Sequence, residues 1–280
     1  MAASNILYYK TFHKILNLRK PKTINEKIHW MKFYGDTSEW PMLADKYRVR
    51  QFVKSKGLEQ TLVKLYGHWE RFDDIDWDGL PDKFVLKVNN GCGDILICRD
   101  KSGLNKKDIR EIYSRLLNMK FGVETGQTHY LNIHPCLIVE ELLDASKQQV
   151  ESSSLIDYKI WCFNGTPEYI FVYINRNKDK AECMVYDKEW HSHPEYLVSS
   201  TSFSIIHYPV PKPKCLSEML DIAKILSEGH PQMRVDLYEV DNKVYFGELT
   251  MTAACGLMNH FTNDFLELMG SKIVLPEEKR

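Results

Sequence analysis

The chain has 280 residues, of which 44% are hydrophobic and 27% charged, and its formal net charge is −1 at pH 7. This composition is typical of a soluble globular protein, and the near-zero net charge gives no global attraction to nucleic acid. No apolar run approaches the ~18 residues of a membrane span, and the N-terminus lacks signal-peptide features. The seven cysteines are scattered without a CxxC pair, so we expect reduced thiols and a cytoplasmic protein.

Cap and periodicity signals predict helices in several parts of the chain. The capping box at Thr23–Glu26 begins one helix, and Gly57 ends a second helix in LADKYRVRQFVKSKG. Asn105 caps a third helix, KKDIREIYSRLLNMK. Four apolar residues lie on one side of this third helix: Ile109, Ile112, Leu116 and Met119. A further amphipathic helix is predicted at LSEMLDIAKILSEG.

Apolar runs bounded by turn residues predict strands at TLVKLYG, KFVLKV, DILICR, PCLIVEELL and AECMVYD. Asn164 and Gly165 join DYKIWCF to TPEYIFVYINR as a β-hairpin. A second hairpin, MRVDLYEVDNKVYFGELT, runs from Met233 to Thr250. This mixture of helices and antiparallel strand pairs indicates an α+β or mixed α/β protein.

The second hairpin carries two acids, Asp236 and Glu248, at positions where a plain strand prefers apolar or uncharged residues. A three-residue turn centred on Asn242 predicts the following pairs: Asp236 with Glu248, Arg234 with Thr250, Tyr238 with Phe246, and Val240 with Val244. This register places both acids on one face of the hairpin. A two-residue turn would place Glu248 on the opposite face.

Two carboxylates ~4 Å apart repel each other by roughly 4 kcal/mol at an effective dielectric near 20. A shared proton, a basic neighbour or a divalent cation must offset this cost. Mg²⁺ suits such a site because it prefers oxygen ligands and takes few carboxylates together with substrate phosphates. The alternative is a pair of solvent-facing acids, salt-bridged to Arg234. If a metal is the reason for the pair, Asp236→Asn and Glu248→Gln should leave folding intact or stabilise it.

Two other segments carry candidate binding residues. In FVLKVNNGCGD, a strand presents Lys87 and leads into a loop with Gly91 and Gly93. Glycines allow backbone N–H groups to approach an anion and lysine adds a charge for phosphate, although tight turns use the same residues. The strand CLIVEELL ends in Glu140 and Glu141, where backbone groups could meet a purine edge.

In chain order, these segments resemble an ATP-grasp enzyme. ADKYRVRQFVKSKG resembles the segment whose lysine, here Lys46, reaches the nucleotide phosphates, and FVLKVNNGCGD resembles the next strand and glycine loop. LIVEELL resembles the adenine hinge, and RVDLYEVDNKVYFGELT resembles the metal hairpin. More narrowly, four segments together resemble the TupA-like ATP-grasp family: LRKPKTINEKIHWMKFY, LADKYRVRQFV, DYKIWCFNG and the metal hairpin.

The resemblance implies an α+β ATP-grasp fold in which two α+β subdomains with antiparallel sheets hold the nucleotide between them. It implies an N-terminal helical region over residues 1–60, a small subdomain with the glycine loop over 61–135, and a large subdomain with the hinge and metal hairpin over 136–280. ATP and Mg²⁺ are the implied cofactors.

The same resemblance implies roles for particular residues. The implied nucleotide contacts are Lys46, Lys87, Asn90, Gly91, Gly93, Glu140, Glu141 and Leu143. Asp236 and Glu248 are the implied magnesium ligands, with Thr250 standing where the family usually has asparagine. Arg234 lies where family members place an arginine near the acyl-phosphate. By position, Lys159 is an inferred phosphate contact, with an ordinary exposed strand lysine as the alternative.

The implied activity is that of an ATP-dependent carboxylate–amine ligase, which forms an amide through an acyl-phosphate. Members of this family are often encoded with surface-polysaccharide genes. We therefore expect the carboxylate to belong to a uronic acid or amino-acid unit of such a polymer or capsule.

Two rival functions remain at this point. A glycosyltransferase of polysaccharide biosynthesis would need a nucleotide-sugar site, and DIDWD, Asp74–Asp78, contains an Asp-x-Asp spelling. We interpret this stretch as a surface turn because it is turn-rich and precedes LPDKF. A non-catalytic ATP-grasp relative is the other possibility, and the retention of both acids and both lysines argues against it.

Overall fold

The computed structural model describes residues 1–91, 93, 95–177, 179–200 and 203–277. Contacts divide the chain into two compact units. We call Glu39–Leu143 the central unit, and Met1–Ser38 together with Asp144–Arg280 the terminal unit. This grouping differs from the expected division after residues 60 and 135, because strand Leu137–Glu141 pairs with two strands of the central unit.

The central unit is built on an antiparallel four-stranded sheet. Its strands are β1 (Leu65–Trp69), β2 (Phe84–Val88), β3 (Ile95–Cys98) and β4 (Leu137–Glu141), in the spatial order β1-β4-β2-β3. Its helices are α3 (Trp40–Ala44), α4 (Val49–Ser55) and α5 (Lys106–Leu117). The predicted second helix is therefore interrupted: Asp45 Oδ1 accepts hydrogen bonds from the backbone N–H groups of Tyr47 and Arg48, and the chain turns between α3 and α4.

Helix α5 covers one face of this sheet. Phe84 and Leu86 of β2 belong to the same buried cluster as Tyr113 of α5, whose hydroxyl donates to the Leu86 carbonyl at 2.9 Å. The predicted cap at Asn105 is confirmed. The predicted apolar side was partly wrong, because Ile112 and Met119 are 43% and 42% exposed. The helix instead buries residues at helical spacing i, i+4 and i+7: Ile109, Tyr113 and Leu116.

The terminal unit contains a six-stranded sheet in the order β10-β9-β5-β6-β7-β8. These strands are β5 (Asp157–Phe163), β6 (Thr166–Ile174), β7 (Ala181–Asp187), β8 (Phe203–Ile205), β9 (Gln232–Val240) and β10 (Lys243–Thr250). All neighbours are antiparallel except β7 and β8, which are parallel. Its helices are α1 (Ala2–Phe12), α2 (Ile24–Tyr34), α6 (Leu216–Ser227) and α7 (Asn263–Ser271). The predicted capping box at Thr23 and Glu26 is present.

Helix α6 packs on one face of the six-stranded sheet. The Cys162 thiol of β5 lies 3.6 Å from the Ala223 carbonyl of α6, and both residues are buried. Because side chains alternate along a strand, Lys159 and Asp236, which oppose each other across β5 and β9, lie on the other face. Within the ranges described above, no helix has both the length and the apolar content needed to cross a bilayer.

The β9–β10 hairpin reaches the predicted pairing of its acids by a different route. The turn has two residues, Asp241 and Asn242, both with positive φ, and it brings Lys243 opposite Val240. The predicted pairs of Val240 with Val244 and of Tyr238 with Phe246 are therefore wrong: Val244 pairs with Glu239, and Tyr245 with Tyr238.

A β-bulge then corrects the register of this hairpin. Phe246 pairs with Leu237 and Glu248 pairs with Asp236, so Gly247 is the extra residue. A Cβ added to Gly247 would lie 2.9 Å from the Asp236 carbonyl oxygen and 3.0 Å from the Tyr238 ring. Glycine is therefore required by close approach. The predicted pairing of Asp236 with Glu248 is confirmed because the bulge offsets the shorter turn.

Candidate functional site

In the central unit, Lys46 is attached to the glycine loop at two points. Its backbone N–H donates to the Asn89 carbonyl at 3.0 Å, and its Nζ donates to the Gly91 carbonyl at 2.5 Å. The lysine lies in the turn between α3 and α4, which Asp45 holds by its side-chain oxygen. The structure thus brings Lys46 to the loop that the sequence proposed for phosphate contact.

Lys87 and Glu140 lie on the sheet face opposite the α5 core. Lys87 Nζ is 2.6 Å from Glu140 Oε2, and Arg50 Nη1 is 2.9 Å from Glu140 Oε1. Both oxygens of the Glu140 carboxylate are therefore bound to cations, and only 10% of its side chain is exposed. Glu140 consequently fixes the position of Lys87, and this group of one carboxylate and two cations keeps a net positive charge. Sequence reasoning missed Arg50, which is 90 residues away from its partner.

The remaining predicted residues of this unit lie in the loop after β2 and at the end of β4. The Asn89 side chain accepts from the Cys136 N–H at 2.8 Å and donates to the His134 carbonyl at 3.0 Å, so it ties the loop to the start of β4. Asn90 is buried, whereas Gly93 has a φ of +93°, a backbone conformation that favours glycine. Glu141, the last residue of β4, is exposed, and Leu143, just beyond the strand, is buried. Cys92 and Asp94 of the same loop lie outside the described residues.

In the terminal unit, one guanidinium joins the two acids of the hairpin. Arg234 donates to both oxygens of Asp236, at 2.6 and 2.7 Å. Its Nη2 also lies 3.1 Å from Glu248 Oε1 and 3.1 Å from Thr250 Oγ1. All of the hairpin residues predicted for metal binding or catalysis thus converge on a single side chain.

Lys159 adds a second cation beside Asp236. Its Nζ lies 2.5 Å from Asp236 Oδ2 and 3.5 Å from Asp157 Oδ1, and Arg176 binds the other oxygen of Asp157 at 3.0 Å. Lys159 is only 7% exposed, which rules out an ordinary exposed strand lysine. Sequence reasoning missed Asp157 and Arg176. The period-two alternation of β5 was a usable signal, because it places Asp157 on the same face as Lys159.

Three carboxylates and three cations therefore form one charge-balanced network on this face. We call it the six-charge network; its members are Asp157, Lys159, Arg176, Arg234, Asp236 and Glu248. Repulsion between the hairpin carboxylates can be offset by a shared proton, a basic neighbour or a divalent cation. The structure shows basic neighbours, namely Arg234 and Lys159. The alternative of two solvent-facing acids is wrong for Asp236, which is 1% exposed, whereas the Glu248 side chain is 34% exposed.

The network shifts the pKa of its own member Arg234 and of the neighbouring His260. Burial lowers the pKa of Arg234, but the Asp236 and Glu248 carboxylates together raise it by more than burial lowers it. The net shift is therefore upward, and the guanidinium stays charged. Burial and the nearby Arg234 lower the pKa of His260 to about 4. The His260 ring lies 3.3 Å from the Tyr173 hydroxyl, through Nε2. A neutral imidazole therefore faces the network near neutral pH.

The two acids of the hairpin, Asp236 and Glu248, are of the ligand type that suits Mg²⁺. They supply carboxylate oxygens, which this ion prefers, and their number suits a site that substrate phosphates complete. Within the part of the chain that the structure describes, no cluster of three or more His, Cys, Asp or Glu residues is arranged to hold a metal ion. A metal at Asp236 would share the carboxylate with these cations, because Oδ1 accepts from Arg234 and Oδ2 accepts from both Arg234 and Lys159.

The Asp-x-Asp spelling considered for a glycosyltransferase lies in a surface turn of the central unit. Asp74 forms two hydrogen bonds with Arg71, three residues earlier, at 2.5 and 2.9 Å. Asp76 accepts from the backbone N–H of Gly79 at 3.2 Å. Both carboxylates thus serve local turn structure, in agreement with the interpretation from sequence.

Comparisons with known proteins agree with the sequence-based resemblance. The TupA-like ATPgrasp family model matches residues 26–274. No curated protein matches the chain. Among solved structures, the chain is similar to D-alanine–D-alanine ligase from Bacillus anthracis complexed with ATP, with 12% identity, 75% of this chain and 54% of that chain covered, and a TM-score of 0.40. It is also similar to L-amino acid ligase from Bacillus licheniformis, with 11% identity, coverage of 84% and 51% respectively, and a TM-score of 0.49.

The chain thus spans about half the length of these solved ligases. At such identities and TM-scores the assignment depends on the family match, which covers most of the chain. The helices and antiparallel sheets agree with the α+β ATP-grasp fold expected from the sequence. The chain belongs to the TupA-like ATP-grasp family.

Proposed function

We propose that this protein is an ATP-dependent carboxylate–amine ligase. In the proposed reaction, a substrate carboxylate attacks the γ-phosphate of ATP to give an acyl-phosphate and ADP, and an amine then displaces phosphate to form an amide. Family membership supports this reaction class. The observation that carries the proposal is the convergence of Arg234, Asp236, Glu248 and Thr250 on the face of the sheet opposite α6.

Under this proposal, the central unit binds the nucleotide. Lys46 and Lys87 bind phosphate oxygens, and the loop glycines Gly91 and Gly93, with Asn90, present backbone groups to the same anion. Glu140 holds Lys87 in place through the 2.6 Å ion pair. The last residue of β4, Glu141, and Leu143 just beyond the strand are the proposed contacts for the adenine base.

The terminal unit supplies the groups for charge stabilisation. Asp236 and Glu248, with the Thr250 hydroxyl, are the proposed ligands of Mg²⁺, which when bound neutralises phosphate charge. Arg234 stays cationic and is placed to stabilise the developing charge of the acyl-phosphate. Lys159 has Asp157 as a second carboxylate at 3.5 Å, so it can leave Asp236 for a phosphate oxygen without becoming an unpaired buried charge.

We further propose, from the family resemblance, that the carboxylate belongs to a uronic acid or amino-acid unit of a surface polysaccharide. The amine would then come from an amino acid or amino sugar. Cytoplasmic location follows from the same proposal, because ATP is the energy source of the reaction.

The test is ADP release by the full chain with a panel of uronic acids and amino acids, each offered with and without amines. Hydroxylamine is included because it converts an acyl-phosphate to a stable hydroxamate. For the correct pair of carboxylate and amine, we expect ADP, phosphate and an amide, detected by mass spectrometry, in equal amounts. ADP with a stable phosphorylated product and no amide would indicate a kinase, and stabilisation by a UDP-sugar but not by ATP would favour a glycosyltransferase.

Two lysine variants sharpen this test. Lys46→Met removes the proposed phosphate contact, whereas Lys54→Met removes an exposed lysine paired with Glu59 in the same region of the chain. We expect the first variant to lose ADP release and the second to retain it. Equal activity of the two variants would contradict the assignment of Lys46.

A further inference from the structure

The first helix presents apolar side chains to solvent. Ile6 and Tyr9 of α1 are 56% and 57% exposed, and Ile15, just beyond the helix, is 85% exposed. Ile6, Tyr9 and Lys10 follow the i, i+3, i+4 spacing of one helix face. On the opposite face, Ser4 and Tyr8 are buried against the terminal unit. The helix is therefore anchored on one side and leaves an apolar stripe on the other.

The same segment carries an unusual concentration of positive charge. Residues 1–25 contain five basic residues and no acid, although the whole chain has a net charge of −1. The five cations are all exposed: Lys10, Lys14, Arg19, Lys20 and Lys22. Among the ion pairs of the described residues, none involves these side chains. Asn17 holds one of them, Lys20, in a turn through hydrogen bonds to its backbone N–H and carbonyl groups.

We propose that this surface docks the protein on an anionic phospholipid bilayer. We call it the N-terminal basic surface and define it by the following residues: Ile6, Tyr9, Lys10, Lys14, Ile15, Arg19, Lys20 and Lys22. The proposal does not depend on the ligase reaction, because it uses none of the residues assigned to nucleotide or metal.

Interleaved apolar and basic side chains favour a bilayer over other anionic partners. Ile6 and Ile15 would enter the boundary between headgroups and acyl chains, while the lysines bind the headgroups. Tyrosine is favoured at this depth because its ring is apolar and its hydroxyl polar. A nucleic acid would use the cations but leave the isoleucines in water. A symmetric contact with a second copy would bring two sets of five unpaired cations together.

The experiment is co-sedimentation of the full chain with vesicles. One vesicle set contains equal parts of phosphatidylglycerol and phosphatidylcholine, and the other contains phosphatidylcholine alone. We expect binding to the first set, weakened by high salt, and little binding to the second. Each lysine near an anionic surface contributes about a fivefold change in affinity, so Lys10→Gln, Lys14→Gln and Lys20→Gln together should weaken binding by about a hundredfold.

A matched control replaces the same number of exposed lysines elsewhere, namely Lys83→Gln, Lys107→Gln and Lys188→Gln. A second set, Ile6→Ser with Ile15→Ser, tests the apolar contribution, and circular dichroism verifies folding. The lysine set keeps the proposal testable even if the isoleucine set unfolds, because its side chains are exposed. Equal binding of the lysine set and its control would overturn the proposal.

Other partners give distinguishable results. Failure of the wild-type chain to bind phosphatidylglycerol vesicles would overturn the proposal outright. Retention on single-stranded RNA without vesicle binding would show a nucleic-acid partner instead. A dimer in light scattering that the isoleucine set dissociates, again without vesicle binding, would show that a second copy covers the surface.

Discussion

Removing the charge of Asp236 and of Glu248 should have unequal effects on stability, although the two residues face each other in one ladder. Asp236 receives two hydrogen bonds from Arg234 and one from Lys159, and only 2% of its side chain is exposed. Glu248 accepts from Arg234 at 3.1 Å and from the Thr250 hydroxyl at 3.4 Å, and its side chain is 34% exposed. Repulsion alone would make both substitutions harmless or stabilising, whereas the network predicts a difference between them.

The magnitude follows from burial. Breaking a buried ion pair by removing one partner costs about 3–5 kcal/mol, because the other charge is left uncompensated. We therefore expect Asp236→Asn to lower the free energy of unfolding by about 3 kcal/mol or more. The Glu248 side chain is more exposed than that of Asp236, and pairs that reach solvent contribute about 0–1 kcal/mol, so Glu248→Gln should cost less than Asp236→Asn, on the order of 1 kcal/mol. Both variants should lose ATP turnover under the proposed function.

A double-mutant cycle identifies the source of the cost. Lys159→Met keeps the length of the side chain and removes its charge. If Asp236→Asn is destabilising because the buried Lys159 loses its nearer carboxylate and keeps only Asp157, 3.5 Å away, the double variant should be more stable than the sum of the single losses. We expect a coupling of about 1–3 kcal/mol for residues in direct contact.

The assay is urea denaturation followed by Trp fluorescence, since Trp161 is buried in the same sheet. Thermal shifts with Mg²⁺ and ATP report ligand binding in the same samples. Equal free energies of unfolding for Asp236→Asn and the wild type would refute the reasoning from the network. A larger loss for Glu248→Gln than for Asp236→Asn would also refute it.

Three further predictions concern the bulge, the buried imidazole and the second lysine. Gly247→Val should lower the free energy of unfolding by about 1–3 kcal/mol in urea, because its Cβ meets backbone and ring atoms. For His260, the folded pKa of about 4 lies below the ordinary value, so stability should be complete above pH ~6.5 and fall as pH drops toward 4. His260→Gln should reduce this slope by up to about 1.4 kcal/mol per pH unit in denaturation at several pH values. Lys87→Met should raise the KM for ATP at least about tenfold, as expected for a lost charge-assisted phosphate contact, whereas Lys83→Met should not.

Local signals explain why much of the fold was predictable from sequence. The capping box at Thr23, the cap at Asn105 and the Asn164–Gly165 turn are short-range features, and all three are present in the structure. Strand β2 and the pairing of β9 with β10 were also predicted. In each case a few adjacent residues determine the backbone conformation, so no tertiary information is needed.

The hairpin shows where such reasoning fails. A glycine inside a strand indicates a bulge or a close backbone approach, and Gly247 is both. The sequence prediction assumed a three-residue turn and no bulge at Gly247. It therefore gave the correct pairing of Asp236 with Glu248 but incorrect pairs nearer the turn. The members of the six-charge network are also far apart in sequence: Lys159 and Asp236 are separated by 77 residues, and period-two patterns do not specify which strands are neighbours.

The six-charge network is itself an argument for function. Replacing a buried ion pair by apolar residues of similar volume is often neutral or stabilising, so stability alone does not account for Lys159 and Asp236 on this face. The opposite face of the same sheet shows the ordinary solution, with Cys162 and Val235 packed beneath α6. Polar residues that violate the pattern of a core are typical of binding and catalytic sites. The carboxylates of this network are groups that a metal would need, and its cations are groups that a triphosphate would need; this is the physical reason for proposing that the phosphoryl chemistry takes place on this face.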